Sequence, residues 1–166
     1  MYIVIITCYD KGARKRAKKL KKELKTALKL VKKAGMKVTN QRQDIISYLI
    51  DHQDHYVSIT DIDKHMRQKY ANMSYQTVYR NLQEFEDAHL VEQRPLAGGK
   101  FVKYQCDFNN LDHYHFICQI CGRVIELKEM SADYFQDQVT GCKILKQQVE
   151  ITGICDGCLA KQALVN

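Results

Sequence analysis

The segment Ser74–Cys106 decides the fold, and it reads SYQTVYRNLQEFEDAHLVEQRPLAGGKFVKYQC. Its first half places Val78, Leu82 and Phe85 at helical spacing, which predicts an amphipathic helix that begins after Ser74. Its second half contains two short strand-like runs, LVEQR and KFVKYQC, joined by PLAGG, which predicts a β-hairpin. A helix followed by a hairpin in this way is typical of the second half of a winged helix-turn-helix domain.

Three further helices are predicted before this segment. The first covers residues 13–35 and ends at Gly35, the second begins after Thr39, and the third begins at the capping box Ser58–Asp61. Their predicted core positions are Leu20, Leu24, Leu28 and Val31, then Ile45, Ile46, Leu49 and Ile50, then Ile59, Ile62, Met66 and Tyr70. This order of elements favours a winged helix; the alternative is a helical domain whose fourth helix simply faces water.

The outward face of the fourth helix contains no acidic residue. Its members are Tyr75, Gln76, Thr77, Tyr79, Arg80 and Gln83. A polar and basic face of this kind suits the major groove, so we predict that all of these except Gln83 contact DNA bases. Lys100, at the tip of the hairpin, is predicted to contact a phosphate.

The charge distribution supports a nucleic-acid partner. The formal net charge is +7, and residues 11–37 contain 13 of the 26 Lys and Arg residues with one acid, Glu23. The rest of the chain carries 13 basic and 18 acidic side chains. A basic end on a mildly acidic body is typical of an arm that meets phosphates, although a solvated charge run is the alternative.

After Cys106 the pattern changes to that of a small α+β unit. We predict strands in HYHFICQI and VIELK, a helix over about residues 131–140, and a strand over KILKQQVEIT. The predicted boundary between the two units lies near Asp107. The fold class is therefore α+β, with an N-terminal winged helix followed by a small α/β domain.

Two cysteine pairs in the second unit predict a closed zinc site. Cys118-Gln-Ile-Cys121 and Cys155-Asp-Gly-Cys158 are separated by 33 residues. Each pair can supply two thiolates on a tight turn, and four thiolates complete a tetrahedral structural site with no open position. The alternatives are unrelated buried thiols or a redox pair, and a redox pair would require one of these motifs at a helix N-terminus after a strand, which the sequence does not predict.

A second site is predicted from Glu92, Cys106, His113 and His115. The two histidines would share one face of a strand, and the set mixes a carboxylate, a thiolate and imidazoles, which suits zinc. Each member also has an ordinary interpretation: a solvated histidine pair, a core cysteine and an exposed strand acid. A zinc hydrolase is a competing function for such a set, but it would need an open metal position and a general base.

The lengths of the apolar segments and the cysteine content bear on the cellular compartment. No segment approaches the roughly 18 apolar residues of a membrane span, so we expect a cytoplasmic protein without a membrane partner. That compartment keeps thiols reduced, so the seven cysteines predict metal binding rather than disulfides.

These motifs together resemble the ferric uptake regulator superfamily of bacterial metalloregulators. The resemblance covers about residues 24–160, and it is carried by KKAGMKVTNQR, SYQTVYRNLQEFEDAHLV, AGGKFVKYQC, HYHFICQICGRVIE and ITGICDGC. Within the superfamily the chain looks most like the zinc uptake regulators, which repress zinc-import genes when zinc is plentiful. The resemblance implies a homodimer built from a winged-helix domain with a hinge over residues 24–106 and a dimerisation domain over residues 107–166.

The resemblance also implies roles for individual residues. It assigns a structural zinc to the four paired cysteines, and a regulatory zinc to Glu92, Cys106, His113 and His115, one of each per subunit. Glu126 matches a carboxylate ligand of some relatives and is a reserve ligand. On DNA, it places Tyr79 against thymine methyl groups, Arg80 on phosphate or guanine, and Lys37 in the minor groove of an A/T-rich inverted repeat.

The sequence departs from the family pattern at three places. Iron- and peroxide-sensing relatives have a histidine at the position of Tyr56, and some relatives have a third metal site where this chain has Gln147. A peroxide-sensing iron site contains no thiolate ligand, so Cys106 argues against peroxide sensing. Residues 1–23 lie outside the resemblance, and two interpretations of this basic extension stay open: an additional DNA-contacting arm or a mis-assigned start.

Overall fold

The computed structural model describes residues 7–96, 98–105, 114–128, 132–145 and 149–164, with side chains from Lys19 onward except at residues 132 and 133. The helices are α1 (Thr7–Lys33), α2 (Asn40–Asp51), α3 (Ile59–Lys69), α4 (Tyr75–Asp87), α5 (Ala132–Gln136) and α6 (Asp156–Ala163). The strands are β1 (Val57–Ser58), β2 (Val91–Leu96), β3 (Gly99–Tyr104), β4 (His115–Cys118), β5 (Val124–Glu126) and β6 (Glu150–Gly153). None of the helices in these ranges is long and apolar enough to cross a bilayer.

The first unit is a helical core closed by a small sheet. Its buried side chains come from all four predicted helices and include Val31, Leu49, Ile62, Leu82 and Phe85. Side-chain oxygens cap three helices as the sequence predicts, because those of Thr39, Ser58 and Ser74 each accept a backbone N–H in the first turn. The predicted winged helix-turn-helix is confirmed.

One detail of the helices differs from the sequence-based prediction. α1 begins at Thr7 rather than at residue 13, six residues before the predicted start, because the prediction rested on an apolar period that begins only at Leu20. Its end is as predicted: Gly35 has a φ of 77°, a conformation that glycine adopts without a steric cost.

The wing is a three-stranded antiparallel sheet in the order β1-β3-β2. The predicted hairpin is present, and its strands pair from Val91 with Tyr104 to Leu96 with Gly99. The third strand, β1, was not predicted from the sequence. It has only two residues, Val57 and Ser58, which is too short for a period of two to be recognised.

The second unit is a three-stranded sheet in the order β5-β4-β6, with β4 antiparallel to β5 and parallel to β6. Two predicted elements are shorter than expected. The helix predicted over residues 131–140 ends at Gln136, followed by turns that lead to Gly141 with a φ of 78°. Residues 143–145 of the predicted last strand are not extended in a sheet, because pairing with β4 begins only at Glu150.

Backbone hydrogen bonds join the two units at one junction. The N–H of Tyr56 donates to the carbonyl of Gly122 at 2.8 Å, and the N–H of Val124 donates to the carbonyl of Asp54 at 2.8 Å. The Tyr56 ring is buried there with Ile117 and Val124, and Leu96 and Phe101 of the wing pack against them. We call this contact the junction between the units. The domain boundary near Asp107 stays a prediction, since residues 106–113 lie outside the described ranges.

Candidate metal centres and nucleic-acid interface

The four paired cysteines converge in the second unit. The sulfur atoms of Cys118, Cys121, Cys155 and Cys158 all lie within 4.8 Å of one another. The Sγ atoms of Cys121 and Cys155 are 3.7 Å apart, close to the edge of a tetrahedron of thiolates at about 2.3 Å from a zinc ion, which is about 3.8 Å. The spacing of the sulfurs therefore fits the tetrahedral zinc that the sequence predicts.

Each cysteine pair is held by a backbone turn. The first turn is closed by the N–H of Gly122, which donates to the carbonyl of Cys118 at 2.9 Å. The second turn begins α6, where the N–H of Cys158 donates to the carbonyl of Cys155 at 3.0 Å. The parallel pairing of β4 with β6 brings the two turns side by side, because Cys118 lies opposite Gly153.

The backbone around Cys118 favours its thiolate form. Burial alone would raise the pKa of this thiol, but the backbone N–H groups of Cys121, Cys155 and Ile120 lower it to about 6. Burial and the neighbouring sulfurs raise the pKa of Cys158 instead. The cluster therefore holds protons that an incoming divalent cation would displace.

The second cysteine pair corrects one step of the sequence-based reasoning. Cys155 is the N-cap of α6 and follows β6 directly, which is the position that a redox pair would need. The sequence analysis expected neither pair to be so placed, and that expectation was wrong. The metal interpretation is still favoured, since two further sulfurs lie in the same cluster and the described cysteines form no disulfide.

Glu92, the first predicted ligand of the second site, lies on β2 at the junction. Its Oε2 atom accepts a 2.7 Å hydrogen bond from the hydroxyl of Tyr56 and lies 3.9 Å from the guanidinium of Arg94. Burial and the Glu92 carboxylate raise the pKa of Tyr56, so its hydroxyl stays protonated and donates this bond. Arg94 lies over the Tyr56 ring, 4.7 Å from its centroid, and forms an ion pair with Glu150 of β6.

Two other predicted ligands are described, and both lie in the second unit. His115 opens β4 and is buried, so the interpretation of His115 as a solvated surface histidine was wrong. The reserve ligand Glu126 lies opposite His115 in the β4–β5 register, and Glu150 lies opposite it in the β4–β6 register. Cys106 and His113 lie outside the described residues, as does Gln147, so the complete predicted set stays a prediction.

The predicted DNA-contacting residues occupy the outer face of α4. Tyr75 is 42% exposed, Gln76 and Arg80 are exposed, and Thr77 and Tyr79 are half-buried. Two of the three acidic residues of the helix have partners: Glu84 forms an ion pair with Arg42, and Glu86 accepts hydrogen bonds from Gln83 and Gln93. The exposed side chains from Tyr75 to Arg80 therefore form a surface without carboxylates, as the sequence predicts, whereas Asp87 is exposed at the other end of the helix.

Arg42 organises this surface, and the sequence analysis did not identify it. Its guanidinium donates to Asn81 Oδ1 at 2.8 Å and to the carbonyl of Lys37 at 3.3 Å, and it also pairs with Glu84. Arg42 thus connects the predicted minor-groove residue to the predicted recognition helix. No local sequence signal indicated this role, because Asn81 lies 39 residues from Arg42.

The wing touches α4 through Lys100. Its ammonium group donates to the hydroxyl of Tyr79 at 2.8 Å and lies 5.0 Å from the ring centroid. The sequence predicted Lys100 as a phosphate contact, and this pairing places it beside the predicted base-contacting tyrosine. Its role on DNA stays a prediction.

The long basic helix α1 runs antiparallel to α2. Lys19 and Glu23 line one surface cleft with Asp51 and Asp54 at the end of α2, whereas Lys37 lines another with Arg80 at the recognition helix. Only the C-terminal end of α1 therefore adjoins the predicted DNA surface. The backbone of residues 7–18 continues from the opposite end, which does not favour the basic extension as an arm to the same major groove.

The second sheet has an exposed apolar face. Ile125 and Ile151 are 41% and 49% exposed, and Ile154 is 40% exposed. They form a shallow groove with Phe116 and Leu127. Contiguous apolar side chains of this kind mark interaction surfaces, and this one lies in the predicted dimerisation domain.

Comparison with known proteins agrees with this architecture. Residues 33–152 match the ferric uptake regulator family. The chain is 36% identical to the peroxide operon regulator of Bacillus subtilis over 140 residues, covering 81% of this chain and 92% of that one. It is 31% identical to the ferric uptake regulation protein of Staphylococcus aureus over 131 residues, covering 79% and 94% of the two chains.

Solved structures show the same fold. The ferric uptake regulator Fur of Helicobacter pylori superposes with a TM-score of 0.60 at 25% identity, covering 84% of this chain and 93% of that one. A zinc uptake regulator complexed with zinc and DNA superposes with a TM-score of 0.61 at 22% identity, covering 87% and 97%. The chain belongs to the ferric uptake regulator family, and it is a metal-responsive transcriptional regulator rather than an enzyme.

Proposed function

We propose that this chain is a zinc-responsive repressor that binds an A/T-rich inverted repeat of operator DNA as a homodimer and controls zinc uptake genes. One structural zinc per subunit would be held by Cys118, Cys121, Cys155 and Cys158. One regulatory zinc would be held by Glu92, Cys106, His113 and His115, with Glu126 in reserve. Family membership excludes the zinc hydrolase that the ligand set alone left open.

The observation that carries the choice of metal is at Tyr56. Iron- and peroxide-sensing relatives have a histidine at this position, whereas here a tyrosine hydroxyl donates its hydrogen bond to Glu92. A protonated tyrosine is not a ligand that replaces an imidazole. With the Cys106 thiolate that the sequence predicts as a ligand, the remaining set is softer than an iron or manganese site, and this favours zinc.

The regulatory site would bridge the two units. Glu92 lies on the wing and His115 on the second sheet, so a metal that binds both would restrict their relative movement. Zinc would then fix the two recognition helices of a dimer at the separation of successive major grooves. Such coupling is typically about 1–3 kcal/mol and is reciprocal, so operator DNA should tighten zinc binding.

The exposed apolar face of Ile125, Ile151 and Ile154 supports the dimer. A copy of the chain that covers these side chains would remove them from water.

A protein of the same fold supports zinc and DNA as the partners, because it is a zinc uptake regulator in complex with both.

A second candidate is an iron-, manganese- or peroxide-responsive regulator. The observation that favours it is the 36% identity to the peroxide operon regulator of Bacillus subtilis. The two candidates differ in whether Cys106 is a ligand.

The test compares two variants in zinc titrations of DNA binding, measured by fluorescence anisotropy on operator DNA selected from a random pool. We expect Cys106→Ser to keep the dimer and the structural zinc but to lose zinc-stimulated binding. We expect Arg80→Ala to keep both metals but to weaken DNA binding about tenfold or more, which corresponds to at least about 1.4 kcal/mol. The exposed Lys161→Ala, in the second unit, is the control and should change neither property.

The two failures have separate meanings. If Cys106→Ser keeps the wild-type zinc midpoint, Cys106 belongs to the core, and the harder set of Glu92, His113, His115 and Glu126 favours iron or manganese. If Arg80→Ala binds the selected DNA within about threefold of wild type, under about 0.7 kcal/mol, the assignment of α4 as the recognition helix is wrong.

A further inference from the structure

Tyr56 connects the structural cysteine cluster to the predicted regulatory ligand Glu92. Its backbone N–H donates to the carbonyl of Gly122, the residue that follows Cys121. Its side-chain hydroxyl donates to Glu92 on the wing. One residue thus contacts the cysteine turn with its backbone and Glu92 with its side chain.

The backbones of Tyr56 and Gly122 are closely packed against each other. A Cβ atom at Gly122 would lie 2.6 Å from the carbonyl oxygen of Tyr56 and 3.2 Å from its Cβ, so only glycine fits there. The neighbouring Val124 and Asp54 form a second backbone bond at 2.8 Å. The position of the Tyr56 backbone is therefore fixed by the turn that holds Cys118 and Cys121.

The side chain is fixed as well. Tyr56 is 2% exposed and packs against Ile117 and Val124 of the second sheet. Arg94 covers its ring at 4.7 Å and is itself paired with Glu150. A ring held in this way keeps its hydroxyl oxygen in place, 2.7 Å from Glu92 Oε2.

The contacts to Glu92 leave one oxygen for a metal. Tyr56 and Arg94 both approach Oε2, and no polar partner of Oε1 is found among the residues that the structure describes. A carboxylate can accept a hydrogen bond on one oxygen and bind a metal through the other. Ligating carboxylates are commonly hydrogen-bonded by a neighbour in this manner, and the neighbour sets the orientation of the ligand.

We propose that Tyr56 is a positioning residue for the regulatory metal: it orients Glu92 so that Oε1 faces the metal, and it ties that orientation to the structural cysteine turn. This inference rests on the proposed function, because it requires Glu92 to be a ligand. It adds a residue that lies outside the ligand set. It also implies that the regulatory site acquires its full affinity only when the structural site is formed.

The experiment removes the hydroxyl and keeps the ring. Tyr56→Phe, Glu92→Gln and the double variant would be titrated with Co²⁺ in place of regulatory zinc, against a competing chelator, with the structural zinc quantified in the same samples. Co²⁺ is used because it absorbs visible light through its d electrons, whereas Zn²⁺ has a filled d shell. The matched control is Tyr70→Phe, because Tyr70 donates to the Asp44 carboxylate at 2.6 Å within the winged helix and away from the junction.

We expect Tyr56→Phe to weaken Co²⁺ binding by about tenfold, the lower end of the range for lost outer partners of metal ligands. Its Co²⁺ absorption band should shift, a change that a purely structural loss of packing would not cause. The structural zinc should remain at one per subunit. In the Glu92→Gln background, Tyr56→Phe should have no further effect, since the two residues act through one interaction.

Each other outcome identifies what failed. If Glu92→Gln leaves affinity and spectrum unchanged, Glu92 is not a ligand, and the proposed regulatory site is wrong. If Glu92→Gln has an effect and Tyr56→Phe has none, or no more than Tyr70→Phe, only the role of Tyr56 is overturned. Loss of the structural zinc in Tyr56→Phe would also overturn it, because the hydroxyl would then support the fold and not the ligand.

Discussion

The cysteine cluster and the junction around Glu92 are two candidate metal sites of opposite construction. The cysteine cluster takes its ligands from two tight turns within one sheet, and its sulfurs already lie within 4.8 Å of one another. The junction takes its described ligands from two units, and Glu92 is held there by Tyr56 and Arg94. The first arrangement suits permanent binding, and the second suits a site whose occupancy changes.

The difference teaches how one chain can keep one metal and respond to another. When local turns close a site, binding of the ion stabilises the folded state, and the ion leaves only when the protein unfolds. A site that spans a junction must draw two units together, so its affinity depends on how freely they move. The backbone hydrogen bond between Tyr56 and Gly122 connects the two candidate sites.

The largest effect should come from breaking the cysteine cluster. We expect Cys118→Ser to contain less than one zinc per subunit and to lose the cooperative folding of the second unit, because structural zinc contributes about 10–16 kcal/mol in small domains. Metal analysis, thermal unfolding and analytical ultracentrifugation would measure this. The control is Cys142→Ser, which changes an exposed cysteine outside the cluster. A normal dimer and melting curve for Cys118→Ser would mean that the cluster is not structural.

A smaller effect should come from Gly122→Ala, which alters the contact between the two sites without removing a ligand. The new Cβ would lie 2.6 Å from the Tyr56 carbonyl oxygen, and the φ of 73° is unfavourable for alanine. We expect a loss of about 2–4 kcal/mol in the free energy of unfolding, from strain and the displaced backbone together. Chemical denaturation followed by circular dichroism would measure it.

The matched control for this variant is Gly141→Ala. Gly141 has a φ of 78°, but a Cβ there would have no atom within 4 Å. The free energy of unfolding of Gly141→Ala should therefore fall only by what alanine requires to adopt a positive φ, about 1–2 kcal/mol. Equal losses at the two positions would show that the junction tolerates displacement, and Tyr56 would then not be fixed by the cysteine turn.

Much of this architecture could be predicted from the sequence because its determinants are local. The apolar period of Val78, Leu82 and Phe85, the serine cap and the cysteine spacing each act over a few residues, and the corresponding elements are confirmed. The junction could not be predicted in the same way. Tyr56, Gly122 and Arg94 are far apart in sequence, and their contacts arise only when the two units pack.

The same reasoning explains the errors. The last strand was predicted too long because KILKQQVEIT contains no glycine, proline, asparagine or aspartate that marks where the strand begins, whereas sheet pairing begins only where β6 meets β4. The helix after Cys155 was missed because its apolar period is weak and its start is defined by the cysteine turn. Arg42 was not identified because its partner Asn81 lies 39 residues away.

The smallest effect should come from the ion pair that joins the two cysteine turns. Arg123 donates to Asp156 at 2.5 Å, and the two side chains are 40% and 83% exposed, so water screens the pair. Such exposed pairs contribute about 0–1 kcal/mol, far less than the zinc. We therefore expect Asp156→Asn to retain one structural zinc per subunit and to lower the free energy of unfolding by less than about 1 kcal/mol. Metal analysis beside chemical denaturation would test this, with Lys161→Ala on the same helix as the control. Loss of zinc from Asp156→Asn would mean that the ion pair, and not the backbone geometry of the turns, brings the four sulfurs together.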